Sequence, residues 1–327
     1  REMGSFRLIE LLGSGGMGEV WRAEHRMLAR PAAIKLIRAK NQGASYRELI
    51  RRFEREARAT ATLRSPHTVQ IYDFGTTDDG TFYYVMELLE GYDLETLVTQ
   101  SGALPPERAI HLLRQACRSL AEAHQGGFIH RDIKPANIYS CRYGDEFDFV
   151  KVLDFGLVTS GGTLDRRQST LTSVGTIAGT PGYMAPEMAA GNREVDWRAD
   201  LYALGCVAYW LVTGKPVFEN ESSVETLIDH ARTSPVPPSQ RAPQPIPPDL
   251  DEIILACLQK DPMNRPQSAD EIAESLGRVY LANPWTRGRA RRWWLANPPS
   301  RQLPAEPAHA QATPIPETET KVLAPSR

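Results

Sequence analysis

The stretch HRDIKPANIY, residues 130–139, narrows the fold and the chemistry of this chain more than any other segment. Its Asp132 can accept the proton of an attacking hydroxyl group, and Asn137, five residues later, can bind a metal ion. A further carboxylate, Asp154, follows 17 residues after Asn137 at the head of an Asp-Phe-Gly tripeptide. The segment therefore supplies one candidate proton acceptor and, with Asp154, two candidate metal ligands.

Near the start of the chain, a glycine cluster separates two strand-like runs. The cluster reads GSGGMGEV, residues 13–20, and glycines at this spacing let a backbone turn approach phosphates with its N–H groups inward. In dinucleotide-binding folds such glycines lead directly into a helix, whereas the strand-like GEVWRAEH follows here. The sequence therefore favours a phosphate-covering loop between strands over a dinucleotide-binding turn.

Lys35 lies in the apolar strand AAIKL, where a buried ammonium group is costly without an anionic partner. The alternative is a surface lysine whose stem covers apolar neighbours. In the helix predicted downstream, Glu56 shares one face with Phe53 and Thr60, because the steps between them are three and four residues. Glu56 is therefore predicted to face inward, to pair with Lys35 and to position that lysine against a phosphate group.

Composition and charge are those of an ordinary globular protein. The 327 residues are 41% hydrophobic and 24% charged, with a formal net charge of −2. A net charge this close to zero gives no overall electrostatic attraction to nucleic acid or to an anionic membrane, so we expect no nucleic-acid partner. The four cysteines lack paired spacing, which favours reduced thiols and a cytoplasmic location.

The longest apolar run, residues 201–212, is too short to cross a bilayer and predicts a buried helix. The chain begins with Arg1 rather than methionine, so we expect a piece of a longer protein. Any membrane attachment is then expected through segments outside this chain. Residues 139–150 predict a long strand, turn and strand between Asn137 and Asp154.

The chain resembles the eukaryotic-like (Hanks-type) serine/threonine protein kinases of bacteria over residues 6–277. The resemblance is carried, in this order, by the glycine loop, Lys35, Glu56, HRDIKPAN, Asp-Phe-Gly and GTPGYMAPE. The resemblance implies an α+β, two-lobed fold with a small β-rich N-lobe, one key helix and a larger helical C-lobe. We expect the N-lobe at 1–88, the C-lobe at 89–280, a basic, Trp-rich extension at 281–299 and a disordered Pro/Ala-rich tail at 300–327.

The resemblance implies transfer of the γ-phosphate of ATP to serine and threonine hydroxyls of proteins, with Mg²⁺, or Mn²⁺ as an alternative. Asp132 would deprotonate the substrate hydroxyl, and Lys134 would steady the γ-phosphate. Asn137 and Asp154 would hold the metal ions. Lys35, fixed by Glu56, would hold the α- and β-phosphates. The implied nucleotide contacts are Gly13, Ser14, Gly15, Gly16, Met17, Gly18, Val20, Ala33, Lys35, Met86 as gatekeeper, the hinge residues Glu87, Leu88 and Leu89, then Asp93 and Asn137.

Further roles follow from the same resemblance. Lys134 together with Thr180 is typical of serine/threonine rather than tyrosine kinases. Glu187 is expected to pair with Arg265, and Asp200 to accept hydrogen bonds from the backbone of the catalytic loop, which is the HRDIKPAN stretch. Both of these roles are structural, because a buried charge needs a partner whatever the chemistry.

The Asp-Phe-Gly tripeptide occurs twice, at residues 73–75 and 154–156. Metal binding in the family uses the copy that follows the catalytic loop, which is the copy of Asp154. The first copy precedes the hinge and is expected to have a structural role within the small lobe.

Arg131 is the arginine that, in the family, marks enzymes activated by phosphorylation of the activation loop. The loop here spans 157–178, and we expect Thr172 and Thr176 as the main sites, pairing with Arg131 and with Arg52. The alternative is a flexible, hydroxyl-rich loop without a switch. Thr159 departs from the family, because many relatives carry a third basic residue there.

The sequence leaves open a pseudokinase as the alternative to an active kinase. A pseudokinase scaffold would bind nucleotide without catalysis, although Lys35, Asp132 and Asp154 are all retained. The resemblance also allows a homodimer that phosphorylates itself in trans.

The segment PWTRGRARRWW, residues 284–294, either packs a terminal helix onto the large lobe or contacts a membrane interface or nucleic acid.

Overall fold

The computed structural model describes residues 1–15, 18–37, 54, 57–58, 60–77, 80–155, 180–192 and 194–299. In its small lobe, an antiparallel sheet has the strand order β1-β2-β3-β4-β6-β5. The strands are β1 (Glu2–Met3), β2 (Phe6–Gly15), β3 (Gly18–His25), β4 (Pro31–Ile37), β5 (Ile71–Thr76) and β6 (Phe82–Glu87).

Side-chain alternation gives this sheet two apolar faces. On β6, Tyr83 and Val85 pack into a cluster with Phe6 and Ile34 on one face. Tyr84 and Met86 belong to the cluster on the opposite face, which the large lobe adjoins. The glycine cluster lies at the tip of the β2–β3 hairpin, where Gly15 pairs with Gly18, so a strand follows the glycines as predicted.

The large lobe combines a three-stranded sheet with helices. Its strands are β7 (Gly91–Asp93), β8 (Ile138–Tyr143) and β9 (Glu146–Val152). The helices are α1 (Leu94–Ser101), α2 (Pro106–Gln125), α3 (Pro186–Ala189), α4 (Arg198–Thr213), α5 (Ser223–Arg232), α6 (Pro248–Cys257), α7 (Ala269–Arg278) and α8 (Arg287–Ala296).

Local sequence explains several of these elements. The apolar run 201–212 forms most of α4, which is buried almost all round, as predicted. No helix within the described ranges is both long and apolar enough to span a bilayer. The predicted strand, turn and strand after Asn137 is confirmed by β8 and β9. Glycine is required at Gly91, because a Cβ there would lie 2.1 Å from the carbonyl oxygen of Ser140 on β8.

A buried carboxylate holds the C-terminal helix α8 against the large lobe. Asp148 is inaccessible to solvent, and Arg108 donates to its two oxygens at 2.9 and 2.8 Å. The indole N–H groups of Trp285 and Trp294 donate to the same carboxylate at 2.8 and 2.7 Å. Burial alone would raise the pKa of Asp148, but the charge of Arg108 and the hydrogen bonds from Arg108 and Trp294 hold it below its usual value.

The ring of Trp293 completes this arrangement by covering Arg108. The guanidinium carbon lies 3.7 Å from the ring centroid of Trp293, which is a close cation–π contact. On the helix flank, Arg289 pairs with Glu107 at 2.7 Å. The segment 284–294 therefore packs on the large lobe, the first of the two interpretations drawn from the sequence.

Buried His230 is expected to make stability depend on pH. Its ring is inaccessible to solvent, and Nδ1 lies 2.8 Å from the hydroxyl of Tyr202. Burial, and then the positive charge of Lys260, lowers the pKa of His230 to about 4. An unfolded histidine titrates near 6.5, so between those values the unfolded chain binds the extra proton. Stability from this group should fall by roughly 3 kcal/mol as the pH drops through that window.

Urea denaturation at about pH 7 and about pH 4.5 measures this effect. The control is His230→Gln, which retains a polar side chain but cannot titrate. Wild type should lose more free energy of unfolding than His230→Gln between the two pH values. Equal losses in both proteins would contradict the assignment to His230.

Candidate active site

Helix α4 holds the backbone of the catalytic loop in place. Asp200, in the first turn of α4, accepts hydrogen bonds from the backbone N–H groups of His130 at 2.8 Å and Arg131 at 2.7 Å. The His130 ring lies 2.7 Å from the carbonyl oxygen of Leu153 and contacts the ring of Phe155 at a tilt of 48°. This confirms the predicted role of Asp200, and it ties the loop to the segment that carries Asp154.

Asp132 lies among groups that hold its carboxylate in one orientation. The side-chain amide of Asn137 donates to the carbonyl oxygen of Asp132 at 2.7 Å and to its carboxylate at 2.9 Å. Lys134 Nζ lies 2.9 Å from the same carboxylate and 3.4 Å from the hydroxyl of Thr180. Because the NH₂ group of Asn137 is engaged, its amide oxygen is the atom left to bind a metal ion.

Two side chains from the small lobe hold the carboxylate of Asp154. Lys35 Nζ lies 2.5 Å from Oδ2, and the Tyr84 hydroxyl donates to Oδ1 at 2.5 Å. Although burial alone raises a carboxyl pKa, the Lys35 ammonium and the Tyr84 hydroxyl hold the pKa of Asp154 below its usual value. Asp154 is therefore an anion at neutral pH, with a neighbour on each oxygen.

An apolar cluster of the small lobe includes Tyr84, one of the two side chains that contact Asp154. Val20, Ala33 and Met86, which come from β3, β4 and β6, pack in one cluster, with Leu12 and Leu153 at its edge. The structure thus brings together an apolar patch, a lysine, three candidate catalytic or metal-binding side chains and a glycine hairpin. This combination suits a nucleotide whose phosphates extend toward metal ligands.

Residues 6–276 match the family model described as the protein kinase domain. The chain belongs to the protein kinase family. The match covers most of the chain, and it confirms the resemblance and the two-lobed α+β kinase fold predicted from the sequence.

Relatives of this kinase domain include serine/threonine-protein kinases of bacteria. Serine/threonine-protein kinase pkn3 of Myxococcus xanthus is 38% identical over 275 residues, which are 84% of this chain and 50% of that protein. Serine/threonine-protein kinase PknB of Mycolicibacterium smegmatis is 40% identical over 278 residues, 84% of this chain and 43% of that protein. The chain thus spans half or less of the length of these relatives.

A solved kinase structure supports the same fold. The crystal structure of Rad53 residues 1–466 in complex with AMP-PNP superimposes with a TM-score of 0.66 at 26% identity. The superposition covers 83% of this chain and 64% of that one.

The predicted hinge residue Glu87 is tied to the large lobe through its side chain. Glu87 pairs with the buried Lys151 of β9 at 2.7 Å and accepts the backbone N–H of Gln70 at 2.8 Å. Asp93 caps helix α1, where its two oxygens accept the N–H and the hydroxyl of Thr96, each at 2.7 Å. The implied nucleotide contacts of Glu87, Leu89 and Asp93 stay predictions, and both acidic side chains have structural partners.

The end of the activation segment is anchored as predicted. Arg265 donates to the two carboxylate oxygens of Glu187 at 2.7 and 2.8 Å, and both side chains are buried. The first Asp-Phe-Gly copy lies on the edge strand β5, where Asp73 is exposed and Phe74 packs against Phe82. That location agrees with the structural role expected for it.

Several predicted positions lie outside the described residues. They are Gly16, Met17, Arg52, Glu56, Thr159, Thr172, Thr176 and the tail 300–327. Conversely, the contact between Tyr84 and Asp154 was not predicted from the sequence. The alternation of β6 offered a signal, because a residue two positions before Met86 shares its face.

Proposed function

We propose that this chain is the catalytic domain of an ATP-dependent serine/threonine protein kinase with a signalling role. The observation that carries the proposal is the joint geometry of Lys35, Asp132, Asn137 and Asp154 described above. The relatives named as serine/threonine-protein kinases support it, and so does the AMP-PNP in the Rad53 complex.

The residues present fit a magnesium nucleotide. Among the described residues, no group of three or more His, Cys, Asp or Glu side chains could hold a metal ion by itself. Mg²⁺ with a nucleotide needs less, because one or two protein oxygens and the phosphates suffice. Asp154 and the amide oxygen of Asn137 would supply those oxygens, with Mn²⁺ as an alternative ion. When bound, the metal would neutralise negative charge on the phosphates.

The protein's own side chains divide the remaining tasks. Asp132, oriented by Asn137, would accept the proton of the substrate hydroxyl. Lys134, which already bridges Asp132 and Thr180, would steady the γ-phosphate. Lys35 would leave Asp154 partly free by turning to the α- and β-phosphates, with Glu56 as its predicted anchor.

Regulation and location are part of the proposal. Phosphates on Thr172 and Thr176 would order the activation loop against Arg131, and two copies of the chain would phosphorylate each other in trans. The four cysteines are buried and unpaired, which supports the prediction of a reducing, cytoplasmic setting.

The test is transfer of label from γ-labelled ATP with Mg²⁺, followed by phosphoamino-acid analysis. Wild type should label serine and threonine, and Lys35→Met should label neither. Label on tyrosine alone would overturn the subtype. Nucleotide binding without transfer, at any protein concentration, would favour the pseudokinase scaffold.

A further inference from the structure

We propose that Tyr84 is a positioning residue whose hydroxyl fixes the Asp154 carboxylate in the orientation in which it binds the metal ion of the nucleotide complex. The inference rests on the proposed kinase function. It assigns a positioning role to a residue that lies outside the signature motifs of the sequence.

The strand pairing places Tyr84 next to the reactive groups. On neighbouring strands, Tyr84 of β6 is directly opposite Lys35 of β4. The tyrosine is buried, with 1% of its surface exposed, and its hydroxyl lies 2.5 Å from Oδ1 of Asp154. Lys35 Nζ is 5.9 Å from the centroid of the Tyr84 ring and binds the other oxygen, Oδ2.

Of the two contacts to Asp154, only the one from Tyr84 is expected to persist when a nucleotide binds. Lys35 reaches Asp154 through a flexible four-carbon stem, and the proposed mechanism needs that ammonium at the phosphates. Tyr84 is rigid, because its ring is packed with Phe82, Ile37 and Val69 inside the small-lobe cluster. The hydroxyl therefore stays on Oδ1 when Lys35 exchanges Oδ2 for a phosphate, and Oδ2 becomes the oxygen available to the metal.

The backbone conformation of Asp154 also requires stabilising contacts from its surroundings. Its backbone φ is +55°, in the left-handed region that residues other than glycine rarely adopt. A residue held there persists only when its surroundings fix it. Outer-shell partners of this kind orient metal-binding carboxylates, and their loss costs about 10–100-fold in metal affinity or activity.

A purely structural Tyr84 is the alternative. A phenylalanine would fill the same apolar space without burying a hydroxyl, which needs a hydrogen-bond partner in a dry environment. Asp154 supplies that partner in the structure. Removing the hydroxyl alone therefore separates packing from positioning.

The experiment compares Tyr84→Phe with Tyr83→Phe in the full chain. Tyr83 is the neighbouring residue on β6 and belongs to the cluster on the opposite face, so its variant loses a hydroxyl from a buried side chain away from Asp154. Mn²⁺ binding in the presence of AMP-PNP is followed by electron paramagnetic resonance, with thermal melting as the check on folding. We expect about tenfold weaker Mn²⁺ binding in Tyr84→Phe only.

Kinetics provide the second readout. Tyr84→Phe should raise the Mg²⁺ concentration needed for half-maximal activity while kcat at saturating Mg²⁺ stays close to wild type. Tyr84→Met is a second variant without the hydroxyl, and it replaces Tyr84→Phe if that protein does not fold. In an Asp154→Asn background, Tyr84→Phe should change Mn²⁺ binding no further.

Unchanged Mn²⁺ affinity in folded variants would overturn the inference. Tighter Mn²⁺ binding would overturn it as well, because the hydroxyl would then compete with the metal for Asp154. Failure of the kinase proposal has a different signature: wild type would transfer no phosphate while the Mn²⁺ affinities still differed.

Discussion

Replacing Asp132 by asparagine should lower kcat for phosphoryl transfer by about 10²–10⁴-fold, the usual contribution of a general base. The variant keeps the shape of the side chain and an oxygen that can accept from Asn137 and Lys134, but removes the negative charge and the proton acceptor. Nucleotide affinity should change little, since Asp132 lies apart from the apolar cluster of Val20, Ala33 and Met86. Steady-state kinetics and calorimetric binding of AMP-PNP measure the two quantities.

The matched control is Asp73→Asn in the first Asp-Phe-Gly copy. Asp73 is exposed, and its carboxylate accepts the N–H of Phe74 at 2.8 Å, so this change should leave kcat within about twofold of wild type. An Asp132→Asn enzyme with at least half of the wild-type kcat would contradict the assignment. So would loss of activity in Asp73→Asn alone.

Replacing Arg108 by alanine should lower the free energy of unfolding by about 3–5 kcal/mol, the usual cost of breaking a buried ion pair. Arg108 is 1% exposed and binds both oxygens of the fully buried Asp148. Its loss would leave that carboxylate without its charge partner. It would also remove the cation against the ring of Trp293.

Arg289→Ala provides the comparison within the same cluster. Arg289 pairs with Glu107, donates to the carbonyl oxygen of Asn283 and covers the Trp285 ring, but its side chain is 30% exposed, so its loss should cost clearly less than the loss of Arg108. Urea denaturation of the two variants and wild type gives both values. Equal destabilisation by the two changes would show that the buried pair does not hold α8 in place.

The sequence predicted what depends on local spacing or on a recognisable motif. The catalytic loop, the strand after the glycines, the buried helix α4 and the pairs made by Asp200 and Glu187 are of this kind. Each follows from residues whose chemistry demands a partner and whose position along the chain is diagnostic.

What the sequence did not predict are contacts between distant segments. Tyr84 and Asp154 are 70 residues apart, and Asp148 is 146 residues from Trp294. The sequence indicates that an acidic side chain such as Asp148 needs a partner, but only packing of α2, β9 and the segment 284–294 selects Arg108 and the two indoles. Basic and tryptophan-rich composition at 284–294 was therefore compatible with both a packed helix and a membrane or nucleic-acid contact.

Autophosphorylation with labelled ATP and Mg²⁺, followed by mapping of the phosphorylated residues, tests the role of Asp154 when wild type is compared with Asp154→Asn. We expect label in wild type only, on serine and threonine between residues 169 and 176, with Thr172 and Thr176 prominent. Equal label in both proteins would contradict this expectation, because Asp154 would then not be the metal ligand on which phosphoryl transfer depends.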